Sequence, residues 1–364
     1  MGRSGPSAPT DPPPRSRKDP PTVTDTDSPH GLFGHPHATL PVRLPPGPPW
    51  RRFGPQRPKR PHYVIRPEDT DVVNAALQLR RPLLVTGFPG VGKSSLAYAV
   101  ADDLGLGDVL HWPVNSRSVL TEALYRYDAV ARLRDATAPE QSGRRLPVEK
   151  YVVLGPLGSA LASAAGSPRV LLIDELDKGD IDLPNDLLTV FEDGAFEIPE
   201  LSRQALETGD RTAQVSLTRP APYQAPDTDG APAESAPTTA SSATVVEGWV
   251  YCQEFPVVVI TSNGERDFPP AFLRRCVRLD LRDPEPDHLK DVVKAQFGED
   301  FSGADEETLA AVEEMIDKFG EAGRHGRLAT DQLLNAIHLR LSTVRLDPHV
   351  LNAVLRPLDN TDTP

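Results

Sequence analysis

Cysteine is nearly absent: the 364 residues hold only Cys252 and Cys276. Two cysteines so placed form neither a disulfide framework nor a four-ligand metal site, which fits a reduced, cytoplasmic setting. Aromatic residues reach only 6%. No apolar run attains the length of a membrane span. The opening stretch "MGRSGPSAPTDPPPRSRKDP" also lacks the apolar centre of a secretion signal. A soluble cytoplasmic protein with no membrane span is expected.

Basic charge is scarce beyond the first sixty residues. Net charge is -13, yet residues 1–62 carry ten Lys/Arg against four Asp/Glu, leaving 29 against 48 for the rest. An acidic body argues against nucleic acid or an anionic membrane as the main partner. The basic tail reads as a solvated, disordered segment.

Proline, by contrast, is abundant. There are 40, of which seventeen fall in the first 61 residues and five more between Pro220 and Pro237. Residues 1–60 have no periodicity and cannot bury enough apolar surface to offset their ordering entropy. Within them, "PVRLPPGPPWRRFGP" (41–55) has a polyproline II composition and offers Trp50 or Phe53 for docking on the folded body. A second disordered segment is expected over 219–244. Setting both aside leaves roughly 270 residues, enough for a sizeable core.

Over 62–283 short Val/Ile/Leu runs alternate with helical patterns. "PLLVTG", "VLHWPV", "RVLLID" (169–174), "FPVVVITSN" (255–263) and "RCVRLDL" (275–281) read as buried strands. Helices are expected over 67–81, 93–105, 118–136 and 183–194. "AFEIPEL" and "WVYCQE" read as the two arms of a hairpin. Continuous apolar strands separated by helices predict an α/β fold, a parallel sheet sandwiched by helices. After Pro284 the strands stop, and residues 284–358 read as a small all-α domain.

The chemistry begins at "GFPGVGKSS" (87–95), between a strand and a helix. Gly87, Gly90, Gly92, Lys93 and Ser94 satisfy the spacing of a phosphate loop. In such a loop the amides of Gly87, Phe88, Pro89, Gly90, Val91, Gly92, Lys93, Ser94 and Ser95 are the candidate phosphate-binding stretch, proline contributing backbone shape alone. Lys93 reaches β and γ oxygens, and the Ser94 hydroxyl ligates Mg²⁺. Eighty residues on, "VLLIDE" (170–175) delivers Asp174 and Glu175 to the C-terminal end of a strand. Asp174 is the second candidate metal group, acting on Mg²⁺ through water, and Glu175 the candidate that polarises the attacking water. Asn263, at the tip of "VVVITSN", is placed to orient that water or merely to satisfy a turn. Arg274 and Arg275, in "PPAFLRRC", read as charge stabilisers acting in trans or as a solvated pair. The nine histidines show no ligand spacing, so no catalytic metal besides Mg²⁺ is expected. Cys276 and Trp112 read as core residues, and Tyr125 and Tyr127 as packing.

In this order the motifs GFPGVGKS, VLLIDE, VVVITSN and AFLRRC, followed by helices, resemble the AAA+ ATPases across residues 62 to about 357. The stretches 174–201 and 262–281 are similar to those of the MoxR-type branch. The resemblance implies a P-loop NTPase fold with a helical lid and a homo-oligomeric ring, usually a hexamer. It also implies ATP with Mg²⁺ between neighbours, and a protein client to be remodelled. By position it makes Asn263 the first sensor and Arg275 the finger for a neighbour's nucleotide, with Arg274 its companion. The second sensor departs from the pattern: in "GRHGRLATDQLL" Leu328 stands at its place, and Arg327 one residue earlier is the candidate nucleotide contact. A nucleotide-gated assembly switch with slow hydrolysis and a nucleic-acid-directed motor are the alternative readings.

Overall fold

A computed structural model describes residues 47–51, 63–137, 147–218, 242–323, 328–342 and 348–355. The rest of the tail with Phe53, the inserted segment over 219–241 and Arg327 lie outside them. Of the unit Met1–Gly47 only Gly47 is described; the architecture below belongs to Pro48–Pro364.

Helix α1 (Pro67–Leu79) starts with Pro67, which has no amide to leave unpaired, and with Glu68 and Asp69 at the positive end of its dipole. It stops two residues short of expectation, because Arg80 turns left-handed (φ 50°). Strand β1 (Leu83–Gly87), helix α2 (Lys93–Asp103) and strand β2 (Leu110–Pro113) follow.

The single helix expected over 118–136 is broken. It becomes α3 (Leu120–Leu124), β3 (Tyr125–Tyr127) and α4 (Ala129–Thr137). The reason is tertiary: Tyr125–Tyr127 pairs antiparallel with β4 (Val152–Leu154), Arg126 opposite Val153. Helix α5 (Pro156–Leu161), β5 (Val170–Asp174), α6 (Leu183–Asp193) and β6 (Ala195–Glu197) come next, then α7 (Pro199–Thr208) and β7 (Thr212–Ser216). Strand β8 (Ser242–Val246) takes in residues 242–244, which the sequence reading assigned to the inserted segment. Pairing with β7, Val215 opposite Ala243, orders them. Strand β9 (Trp249–Tyr251) pairs antiparallel with β6, so the expected arms do meet, with α7, β7 and β8 between them in the chain.

Strand β10 (Val257–Thr261), the short helix α8 (Pro270–Leu273) and β11 (Val277–Leu281) complete the α/β part. The central sheet is parallel, in the order β11-β1-β10-β5-β2. Its strands alternate between two cores, as a period of two requires. Leu171 and Ile173 enter the core shared with α5, α6 and the second sheet, while Val170 and Leu172 face α1 and α2. All four are fully buried, each contributing about 1.5–3 kcal/mol. The second sheet, β3-β4-β7-β8-β9-β6, was not anticipated. Its Leu154, Val215, Val245 and Val250 face the same core. Trp249 and Tyr251 are exposed on the other side, stacked 6.2 Å apart.

Among the described residues the C-terminal helices are α9 (Pro286–Phe297), α10 (Glu299–Ser302), α11 (Glu306–Gly323), α12 (Thr330–Leu341) and α13 (Pro348–Val354). They enclose a separate core containing Leu289, Phe297, Ile316, Phe319, Leu333 and Ile337. Trp50, in a short 3-10 turn, docks on this group as the sequence suggested. Its indole donates to Asn335 Oδ1 at 3.2 Å, and it meets Phe297 and His338 edge-on at 5.8 and 5.9 Å. Trp50→Ala is therefore expected to destabilise these helices by about 1–3 kcal/mol, read as an earlier unfolding step in a urea titration of the full chain. An unchanged transition would show that the contact adds no stability.

Candidate functional site

Parallel register assembles the candidate site at the C-terminal ends of β1, β5 and β10. With Ile260 opposite Ile173 and Val85 opposite Thr261, the next residues outward bring Thr261 beside Asp174 and both beside the start of the 87–95 loop. Pro113 opposite Asp174 aligns β2 on the far side, so His111 points at the same carboxylate.

Phosphate-loop geometry follows from glycine at two positions. Gly92 is the N-cap of α2 with φ 94°, which leaves the first-turn amides of α2 without a side-chain cap and so open to an anion. A β-carbon there would also press on the Tyr63 ring at 3.2 Å. Gly90 has φ 83°, and a β-carbon would strike Ala329 Cβ at 2.6 Å and approach Asp331 Oδ1 at 3.1 Å. The start of α12 thus rests on the loop. The resemblance called for a cation from this region; Arg327 is not among the described residues, and the residues seen against Gly90 are Ala329 and Asp331. Lys93 is buried, its ammonium donating to the carbonyls of Gly87 (2.7 Å) and Phe88 (2.8 Å). Burial lowers its pKa, opposed by the charges of Asp177, Glu175 and Asp174.

Asp174 is the most heavily bonded group. Its Oδ1 accepts from Ser94 Oγ at 2.6 Å and Thr261 Oγ1 at 2.7 Å, and its Oδ2 lies 3.3 Å from His111 Nε2. Burial alone would raise its pKa. Hydrogen bonds with His111, Ser94 and Thr261 outweigh burial and hold it at about 2, so it is a carboxylate at any physiological pH. Ser94 and Asp174 touching each other, both oxygen donors beside an anion-ready helix start, suit a hard cation such as Mg²⁺ bound with a polyphosphate. These donors fit the metal that the sequence implied.

Glu175 adopts the left-handed conformation (φ 59°), rare for a residue with a side chain. Its N–H donates to Thr261 Oγ1 at 2.8 Å. Its carboxylate lies 2.8 Å from Lys178 Nζ and accepts from Asn263 Nδ2 at 3.3 Å. Asn263, just beyond the tip of β10, thus has its amide against the Glu175 carboxylate. Asp177 is buried, and its Oδ2 accepts the N–H groups of Asn263 (2.9 Å) and Glu265 (3.1 Å).

The two arginines part company. Arg275 turns back on its own chain, Nε donating to Glu192 and Nη1 to the Ala271 carbonyl at 3.1 Å. Arg274 is exposed, and its carbonyl accepts from Arg81. Neither is gathered with Lys93, Asp174 and Glu175 by any described contact within the chain. Cys276 and Trp112 are buried as expected, and burial raises the Cys276 thiol to about 12, leaving it unreactive. His111, Thr261, Asp177, Lys178, Tyr63 and Asp331 had no motif to mark them; register and the docking of α12 bring them in.

Among the described residues no helix is long and apolar enough to cross a membrane, and no cluster of three His, Cys, Asp or Glu is arranged to hold a metal. The family model for the AAA domain (dynein-related subfamily) matches residues 82–276, from the start of β1 to the end of the arginine motif. No curated protein matches the chain. A parallel sheet carrying a phosphate loop, an acidic strand tip and a polar neighbouring strand tip is what that match spans, and the chain belongs to the AAA domain family of nucleotide-binding ATPases, dynein-related subfamily.

Proposed function

We propose that the chain is a MoxR-like AAA+ ATPase that hydrolyses ATP in a homo-oligomeric ring, of six subunits, to remodel a partner protein in the cytoplasm. The observation that carries the reading is the joined pair of strand tips. Asp174 at the end of β5 is bonded to Thr261 at the end of β10, and Glu175, the next residue, to Asn263 just beyond β10, within reach of Ser94 and the phosphate loop. The MoxR-type assignment draws on the similarity of residues 174–201 and 262–281, and the ring and client follow from it.

Lys93 exchanges the Gly87 and Phe88 carbonyls for phosphate oxygens, and the first-turn amides of α2 hold the rest of the triphosphate. Ser94, and Asp174 through water, would hold Mg²⁺, which would offset charge on the phosphates. Glu175 takes the proton of the attacking water, and the Asn263 amide orients that water against the base. Arg275 of a neighbouring subunit neutralises the charge that develops on the transferred phosphoryl group, with Arg274 beside it. In this scheme residues 62–283 bind nucleotide, residues 284–358 form the lid, and Arg327 is the lid's candidate contact.

One observation favours a second reading, a nucleotide-gated switch. The residues described against Gly90 are Ala329 and Asp331, where the resemblance calls for a cation, and a phosphate loop without that cation suits slow hydrolysis. Turnover per chain, measured across a wide range of protein concentration, separates the two. A motor's specific activity climbs steeply as subunits assemble; a switch stays slow at all concentrations. No Mg²⁺-dependent hydrolysis at any concentration would overturn both.

A further inference from the structure

Asp177 occupies the turn just after the candidate base, inside the short 3-10 segment Leu176–Lys178. It is 3% exposed. One carboxylate oxygen, Oδ2, accepts two backbone N–H groups of the neighbouring strand tip, from Asn263 at 2.9 Å and Glu265 at 3.1 Å. The other, Oδ1, is buried with no hydrogen-bond partner among the described residues. A carboxylate with one idle oxygen is costly to bury, so the side it does use must matter.

That side is the loop that presents Asn263. The 262–266 segment leaves β10 without regular structure, and its described anchors to the acidic turn are few. They are the two N–H bonds to Asp177, the Asn263 amide on Glu175 at 3.3 Å, and Arg266 Nη1 on the Gly179 carbonyl at 2.8 Å. The Asn263–Glu175 contact is the longest of these and comes from a side chain with free torsions. Its aim is set by the backbone beneath it, which Asp177 grips at the same residue.

We infer that Asp177 is a positioning residue: it clamps the backbone of Asn263 so that the amide meets Glu175 and the attacking water in line. The inference rests on the catalytic reading of Glu175 and Asn263. It predicts that the clamp needs an acceptor oxygen and not a charge. Since Oδ1 has no partner among the described residues, an amide at this position breaks no described hydrogen bond on that side.

Steady-state turnover and equilibrium binding of Mg²⁺-ATP by the full-length chain test this. Asp177→Ala is expected to lower kcat by about 100-fold, the scale of an ångström-sized misplacement, with ATP affinity within about threefold of the parent. Asp177→Asn is expected to recover kcat to within about threefold. Combining Asp177→Ala with Asn263→Ala should be no slower than Asn263→Ala alone, because both act through one amide. Should the alanine variant not fold, Asp177→Leu, near aspartate in size and without an acceptor, carries its expectations. If neither folds while Asp177→Asn does and is slow, the residue is structural and the inference fails. An alanine variant with unchanged kcat, losses in kcat and affinity that run in parallel, or an asparagine variant as slow as alanine would each overturn it too. A parallel Glu175→Gln variant keeps the two levels apart. If that variant is slow and the Asp177 variants are not, only the clamp is wrong; if it turns over normally, the catalytic reading itself is wrong.

Discussion

Glu175→Gln is expected to slow ATP turnover by roughly 10²–10⁴-fold, the usual contribution of a general base, while ATP affinity stays within about threefold. Glutamine has the same shape and keeps an oxygen for Lys178 or Asn263, but it cannot take a proton from water. In the proposed scheme affinity arises at Lys93, Ser94 and the α2 amides, none of which loses a hydrogen bond in this substitution, and Asp174 and Asp177 still keep Lys93 among carboxylates. The backbone supports the assignment independently. A left-handed glutamate costs about 1–2 kcal/mol, and it persists because Thr261 accepts its N–H and the 176–178 turn follows at once. Single-turnover hydrolysis alongside equilibrium binding checks the split. Normal turnover by the variant would remove Glu175 from the role of base.

Arg275→Ala is expected to lower turnover by about 10³-fold or more, the scale of an arginine finger, with nucleotide binding kept. Within its own chain the guanidinium is bonded to Glu192 and to the Ala271 carbonyl, and the Arg275–Glu192 pair is partly open to solvent. A half-exposed ion pair is worth at most about 1 kcal/mol, so in the proposed ring a neighbour's triphosphate would outcompete Glu192 for Arg275. Mixing inactive chains makes the trans geometry visible. Lys93→Ala chains have no working phosphate grip, and Arg275→Ala chains have no finger. A mixture, however, contains sites built from the intact half of each. Activity should reappear on mixing and depend on the ratio of the two chains. A mixture as inactive as its components would mean that Arg275 does not act across subunits.

The phosphate loop was legible because its chemistry is local. Turn conformation, amide direction and the lysine are all set within nine residues, so spacing alone announces them. Asp174 and Glu175 were legible for a related reason: an apolar run that must be buried delivers whatever follows it to the sheet's edge. The second sheet was not legible. "YRY" has helical neighbours on both sides and becomes a strand because β4 offers it unpaired backbone; β8 emerges from a composition that reads as linker. Pairing energy comes from distant residues, which a window along the chain does not contain.

The amino-acid order by itself determined the phosphate grip, the acidic strand tip, the parallel α/β class and the helical C-terminal part, since each depends on local spacing or on the period of burial. Tertiary structure alone decided the rest. The register of β10 against β5 places Thr261 on Asp174. The turn after Glu175 sets Asp177 under Asn263, and the docking of α12 lays Ala329 and Asp331 on Gly90. Each of these last contacts joins residues more than eighty positions apart, and only strands and helices packed to a single register bring such residues into contact.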